Sequence, residues 1–312
     1  MIKFLRSLTL LILLVSFAEP RAPSGVKAIK SELPLKFDPA PFKEKTALLR
    51  DELEKGLYIS ADYALPYRVF KPKGLKEKQK VPLVVFLHGL GEGGKDNNSQ
   101  LKHPQVLSFC LPDSQAKNPC FLVAPQLNQN GEFWIGEKTI QRQNPRDLHP
   151  SEKTAKGKNR PAPTAAQEAL MEMIAELIKD NPGIDPDRVV VTGLSSGGCG
   201  CYALLYHFPN HFSAMAPICA GSKEIAERYL VSRQELGVWG FFNRDESQRT
   251  KDGMDLCLLQ LEKHGADTRR TTFDSPDIGG HAAWEWAYAE PKLIPWLFAQ
   301  KRKKAAGTKP RW

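Results

Sequence analysis

Apolar residues along this chain gather into short unbroken runs separated by polar turns rich in glycine and proline. Pro82–His88 (PLVVFLH), Phe121–Pro125 (FLVAP) and Arg188–Thr192 (RVVVT) read as strands covered on both faces, where no polar alternation is needed. Ser213–Cys219, Gly237–Phe242 and Thr268–Phe273 add further strands, and Pro66–Lys71 reads as an edge strand. Between them the period lengthens to that of a helix. Thr164-Ala-Ala-Gln167 forms a capping box, Leu170, Ile174 and Leu177 recur on one face, and Asn181-Pro182-Gly183 stops the segment. An apolar helix follows the glycine-rich turn at 193–198 and runs to about Phe208. Gly253–His264 and Pro291–Lys301 are the later helices, and a short one is expected around Lys45–Lys55. Strands alternating with helices predict an α/β fold with a mostly parallel central sheet covered by helices on both faces. One domain over residues 56–300 follows a lead-in at 19–55. Asn128–Pro163 is polar, basic and without apolar period, and is expected to be an excursion over the surface.

The N-terminus changes the compartment. Lys3 and Arg6 precede an apolar run, Leu8–Ala18, of eleven residues. That is about half the 20 needed to span a bilayer. Ser16 and Ala18 are small residues at the −3 and −1 positions of a cleavage after Ala18, so residues 1–18 read as a signal peptide and the product as secreted or periplasmic. The net charge of +9 falls to +7 without Lys3 and Arg6. Six more cations lie in the tail 301–312, which leaves the body near +1 and removes the case for a nucleic-acid partner. Membrane contact is confined to the leader or this basic tail. Six cysteines are too few for a disulfide scaffold and show no CxxC spacing, although Cys110 and Cys120 are close enough in sequence to bridge a loop.

Three turns carry chemistry. Gly193-Leu194-Ser195-Ser196-Gly197-Gly198 stands between a strand and a helix, and its G-x-S-x-G pattern places Ser195 on a sharp turn with its hydroxyl above the sheet. At this turn a phosphate cradle is excluded because Gly197-Gly198-Cys199 supplies no Gly-Lys-Ser/Thr, and the turn does not fit the dinucleotide pattern G-x-G-x-x-G either. The N–H of Ser196 can donate to an oxyanion. His88-Gly89-Leu90-Gly91-Glu92-Gly93-Gly94 follows a strand, and its flexible backbone offers the N–H of Leu90 as a second donor. Gly279-Gly280-His281 supplies an imidazole base, without which a serine hydroxyl is a weak nucleophile. A carboxylate to orient His281 belongs between the two in chain order, at Asn243-Arg244-Asp245-Glu246, where Asp245 and Glu246 compete; Asp252, Asp274 and Asp277 lie in the same interval. His103, His149 and His264 read as solvated, and His207 and His211 as surface or packing residues. With no HExxH or comparable ligand set, neither a metal nor another cofactor is expected.

From about Pro66 to Arg302 the chain resembles the α/β-hydrolase families around secreted polyhydroxybutyrate-depolymerase-like esterases, feruloyl esterases and peptidases related to prolyl oligopeptidase. The likeness rests on YRVFKPKG, PLVVFLHGLGEGGKDNNSQL, FLVAPQ, IDPDRVVVTGLSSGGCG, APICAGS and GGHAAWEWAYAEPKLIPWLFAQKR. It implies the α/β-hydrolase fold, with Ser195 as nucleophile, His281 as base, and Leu90 and Ser196 as oxyanion donors. The family's His-Gly-x-x-Asp at the acid turn is replaced by Phe242-Asn243-Arg244-Asp245-Glu246. An ungapped register puts Glu246 on the acid, and a one-residue deletion puts Asp245 there. The expected function is a secreted serine hydrolase cleaving small-molecule or polymer carboxylic esters through an acyl-enzyme, with Trp134, Trp284 and Trp286 as candidate aromatic walls. The alternatives are a serine peptidase with the same triad and a silent hydrolase-fold binding domain. Acyl and alcohol specificity and oligomeric state are not set by the sequence.

Overall fold

A computed structural model describes residues 21–34, 36–129, 132–135, 162–230, 235–274, 279–302 and 312. The signal-peptide assignment and residues 136–161 of the basic insertion lie outside them, as do His149 and Asp277. Among the described residues nine strands form one sheet in the order β1-β9-β8-β7-β6-β4-β5-β3-β2. In chain order these are β1 (Lys27–Ala28), β2 (Glu54–Ile59), β3 (Ala64–Phe70), β4 (Val81–Leu87), β5 (Phe121–Pro125), β6 (Ile184–Leu194), β7 (Ala214–Ile218), β8 (Gly237–Asn243) and β9 (Asp267–Phe273). Every pairing from β5 through β4 to β1 is parallel, and β2 and β3 are antiparallel.

Both faces of the sheet are covered. The continuous apolar runs split by alternation, as successive side chains on a strand must. Leu83, Val85 and Leu87 of β4 enter one core cluster, and Val84 and Phe86 enter the other. The first cluster holds α3 (Ala165–Asp180), α4 (Ser196–His207), α5 (Lys223–Tyr229) and α6 (Gln248–Lys263). On the second face lie α7 (Trp284–Ala287) and α8 (Leu293–Ala299), with the 3₁₀ segment Pro104–Cys110 and Phe42 of α1 (Pro39–Ala47). α2 (Pro112–Lys117) is a short helix leading into β5. The capping box at Thr164 forms with both reciprocal bonds. α6 begins five residues earlier than its apolar pattern indicates, because Ser247 caps it through the Thr250 N–H.

Three expectations are corrected. The first helix is not Lys45–Lys55 but Pro39–Ala47, where Asp38 caps and Pro39 occupies the first helical position. Residues 54–59 form β2 instead, so β3 is not at the edge. The polar stretch starting at Asn128 is not wholly an excursion, because Phe133, Trp134 and Ile135 are buried in the core. Its cause is specific: the Trp134 indole donates to the His88 carbonyl, and Gln167 of α3 donates to the Trp134 carbonyl. Two described residues of the stretch 301–312 are held to the body. Arg302 is buried against Asp187, and the Trp312 indole donates to the Pro186 carbonyl.

None of the six cysteines is in a disulfide, and all are buried. Cys110 and Cys120 do not bridge. The Cys120 sulfur takes an amide N–H of Gln115, and burial pushes its thiol up to about 12. Among the described residues no helix is long and apolar enough to cross a membrane.

Candidate functional site

β4 pairs with β5 on one side and β6 on the other, so the chain reverses direction across the sheet at β4. In open α/β sheets ligands bind beyond the carboxyl ends of the strands at such a switch. The loop after β4, the turn after β6, the turn after β8 and the loop after β9 all lie at that end.

Ser195 sits between β6 and α4 at φ +52°, ψ −116°, a left-handed backbone that a non-glycine residue rarely adopts. Its N–H is tied to the Ile218 carbonyl at 2.9 Å, and its carbonyl takes the N–H of Cys199 at 3.1 Å. The glycines around it are steric necessities. A β-carbon on Gly197 would lie 2.0 Å from the Leu87 carbonyl oxygen, and one on Gly193 would lie 2.5 Å from the backbone of Gly197. The same close approach brings the loop after β4 against the serine turn. Ser196 is the first residue of α4, so its N–H has no partner within the helix. Leu90, between two glycines in the neighbouring loop, is 41% exposed.

His281 Nε2 lies 2.9 Å from Ser195 Oγ, and His281 Nδ1 lies 2.7 Å from Glu246 Oε2. Glu246 is buried, and its other oxygen accepts the Ser247 N–H at 2.7 Å. Asp245 beside it is exposed. The two acids therefore separate: Glu246 reaches the imidazole, and Asp245 contributes its backbone instead. A β-carbon on Gly280 would fall 2.0 Å from the Asp245 carbonyl oxygen, so the histidine loop lies directly on the acid turn. Asn243 Nδ2 donates to the Gly279 carbonyl and holds the two together. Asp274 pairs with Arg244, and Asp252 accepts from Gln248, so neither turns to His281.

Burial alone would raise the Glu246 carboxyl. The hydrogen bond and charge of His281, the Ser247 N–H and the Cys219 thiol outweigh it and hold the group below the usual carboxylate range. Cys219 was not singled out in the sequence, yet it joins three parts of the site. It follows β7 at φ +49°, its sulfur accepts the Ala283 N–H at 3.3 Å, and it contacts Glu246. Burial, then the Glu246 charge, pushes its thiol well up. The donor atoms of Cys219, Glu246 and His281 lie within 4.8 Å of one another. As a metal site the set fits poorly, because the carboxylate and imidazole already bond each other and the other imidazole nitrogen faces Ser195 Oγ.

The loop after β4 has its own fastening. His88 is buried; its Nε2 accepts the Leu127 N–H, which leaves Nδ1 to donate to the Gly89 carbonyl. Burial lowers its pKa, so it is a neutral structural imidazole. Glu92 is also buried. One oxygen accepts the Gly89 N–H at 3.1 Å, and the other lies 3.3 Å from His103 Nε2. His103 is thus not solvated as expected, and its ring stacks obliquely on Trp284, which meets His281 edge-on at 5.6 Å. No spacing in the sequence marks this contact, which joins elements that are distant along the chain.

A pocket of about 270 Å³ opens beside Ser195 and His281, bordered by Cys199, Cys219, Ile225 and Arg249. Trp134 and Trp286 do not line it. The first packs on His88 with ring centroids 5.3 Å apart, and the second stacks on Phe273. Trp284 reaches the site only as the neighbour of His281.

A solved thermostable esterase is 28% identical, with a TM-score of 0.67 over 82% of this chain and 64% of its own. An acylaminoacyl peptidase in complex with Z-Gly-Gly-Phe-chloromethyl ketone is 16% identical, with a TM-score of 0.53 over 82% of this chain and 43% of its own. The chain therefore spans less than two-thirds of the length of either. A ferulic acid esterase is 16% identical, with a TM-score of 0.53 over 79% of this chain and 98% of its own. The fold is that of the α/β-hydrolases. No curated protein matches the sequence. The sequence model of the Esterase family, described as "Putative esterase", matches residues 62–277, and the chain belongs to that family.

Proposed function

We propose that this chain is a secreted serine esterase that hydrolyses carboxylic esters through an acyl-enzyme. The observation that carries the reading is the continuous hydrogen-bonded path from Ser195 Oγ through His281 to the buried Glu246. Glu246, ionised below the ordinary carboxylate range, accepts Nδ1–H and fixes the tautomer whose Nε2 faces the serine. His281 Nε2 takes the hydroxyl proton as Ser195 Oγ bonds to the ester carbonyl carbon. The carbonyl oxygen becomes an oxyanion held by the N–H groups of Leu90 and Ser196, each donor of this kind being worth about 10²–10³ in rate. Collapse breaks the carbon–oxygen bond to the alcohol, which leaves with the proton from Nε2. Water then enters, gives a proton to Nε2 and attacks the acyl carbon; the carbon–Oγ bond breaks, Oγ takes the proton back from Nε2, and the acid leaves.

The test is a panel of matched esters and amides on the wild type and on Ser195→Ala, with fluorophosphonate labelling of the folded protein. Ester turnover and labelling are expected in the wild type, and both vanish with the substitution. Turnover that survives it overturns the mechanism. Amide cleavage at a rate comparable to esters selects the peptidase alternative, and an unlabelled wild type selects the silent binding domain.

A further inference from the structure

We infer that the pocket beside Ser195 takes an ester bearing a carboxylate in one of its halves, with Arg249 as the counter-ion. This rests on the esterase reading and narrows it to a substrate class. Among the described residues that line the pocket, Arg249 is the one that carries a permanent charge, and the other walls include Cys199, Cys219, Ala220 and Ile225. Among the described residues its guanidinium has neither a hydrogen bond nor an ion pair. The other polar groups at the rim are already engaged. Ser222 Oγ accepts the Ile225 N–H, and the Thr250 and Ser247 hydroxyls bond each other. The acids and the lysine nearest in sequence on α6 are engaged too: Asp252 accepts from Gln248, and Lys251 donates to the Arg244 carbonyl.

Helix stability does not account for Arg249. It stands in the first turn of α6, which carries no acidic residue, and a cation there opposes the helix dipole. A guanidinium presents a planar fork of donors that matches a carboxylate in two parallel bonds. In a pocket of about 270 Å³ the occupant is small: a short acid or alcohol half with one free carboxylate, next to apolar walls.

Two substrate pairs test this, each exchanging a carboxylate for a neutral group at one end of the ester. p-Nitrophenyl hemisuccinate is set against p-nitrophenyl butyrate, and 4-carboxyphenyl butyrate against 4-carbamoylphenyl butyrate, all corrected for spontaneous hydrolysis. In one pair the wild type favours the anion by about threefold or more in kcat/KM, and the ratio shrinks as salt is raised. The ratio falls toward one in Arg249→Gln and inverts in Arg249→Glu. No preference in either pair, or a preference that persists in Arg249→Gln, overturns the proposal. A readout without turnover separates this failure from that of the esterase reading. Monoethyl succinate titrated into Ser195→Ala binds about threefold or more tighter than into the Ser195→Ala/Arg249→Gln double variant. Equal binding sinks the anion pocket even if ester cleavage stands.

Discussion

Two buried glutamates in this molecule each face a histidine, and the two pairs do different work. Glu246 meets His281 at 2.7 Å, and Glu92 meets His103 at 3.3 Å. The acids are equally enclosed, with side chains 2% and 4% exposed, but the imidazoles are not: His281 is 48% exposed and His103 21%. What separates them is the second ring nitrogen. That of His281 points at a hydroxyl beside an open pocket, and that of His103 is buried without a hydrogen-bond partner. A carboxyl–imidazole pair becomes an acid–base device only when its far side reaches a reacting atom; otherwise it is a clamp. Glu92 clamps the loop that carries Leu90, since its second oxygen holds the Gly89 N–H.

The comparison breaks most severely at Glu246. Glu246→Gln keeps the shape but offers no charge, and its amide can present N–H to the imidazole and favour the wrong tautomer. On the proposed mechanism kcat for a neutral ester falls by about 10²–10⁴ while KM moves little. Steady-state kinetics on the purified variant reads this directly, and a loss below tenfold would remove Glu246 from the triad.

The difference between the pairs also explains what the sequence made legible. Ser195, His281 and the acid turn stand in local patterns: a glycine-bounded serine between strand and helix, and loops after apolar runs. Local patterns follow from backbone sterics, as Gly197 and Gly280 demonstrate with approaches of 2.0 Å. The choice between Asp245 and Glu246 depended on a one-residue register, and only folding the turn decides which side chain points inward. Glu92 and His103 had no local signature, because their contact spans a loop after β4 and a segment leading into the 3₁₀ turn at Pro104–Cys110. β2 was hidden for another reason. Its exposed Glu54, Lys55 and Leu57 carry no alternation that separates an edge strand from a polar helix.

Loosening the clamp should cost less than removing the acid. Glu92→Ala frees the Gly89 N–H and leaves His103 without its partner, so the Leu90 N–H is held less firmly where negative charge develops. A fall of about 10–100-fold in kcat with KM nearly constant is expected, within the range of one imperfect oxyanion donor. Glu92→Gln, whose amide oxygen can still accept from Gly89, should recover most of it. The affinity of a boronic acid that forms a tetrahedral adduct on Ser195 should fall in parallel with kcat. A variant that loses melting temperature but not adduct affinity would reduce Glu92 to a purely structural role.

Further along the same loop, acid pH offers a gentler probe. Burial would raise the Asp96 carboxyl, but the Ser99 hydroxyl and N–H, the Gln126 amide and the Asn98 N–H together hold it far below the ordinary range. Gln126 also donates to the Glu92 carbonyl, so the two carboxyl residues share a fastening. A lowered folded-state pKa stabilises the protein above the unfolded value and stops doing so as pH falls through the folded one. Melting temperature should therefore drop below about pH 4, where unfolded carboxylates begin to take protons. In Asp96→Asn that acid slope should be shallower. An unchanged slope would mean that these hydrogen bonds do not survive in solution.

The smallest effect belongs to the residue beside the acid. Asp245 is exposed, and it meets the histidine loop through its carbonyl, which lies against Gly280. Asp245→Asn keeps that backbone and alters only a solvated side chain, so kcat should stay within about twofold, as for an ordinary surface substitution. Gly280→Ala is the informative counterpart, because its added methyl must displace the Asp245 backbone and with it the peptide of Glu246. The alanine variant should therefore resemble Glu246→Gln in kcat although it touches no ionisable group. A silent glycine substitution and a damaging Asp245→Asn would together reassign the acid to Asp245.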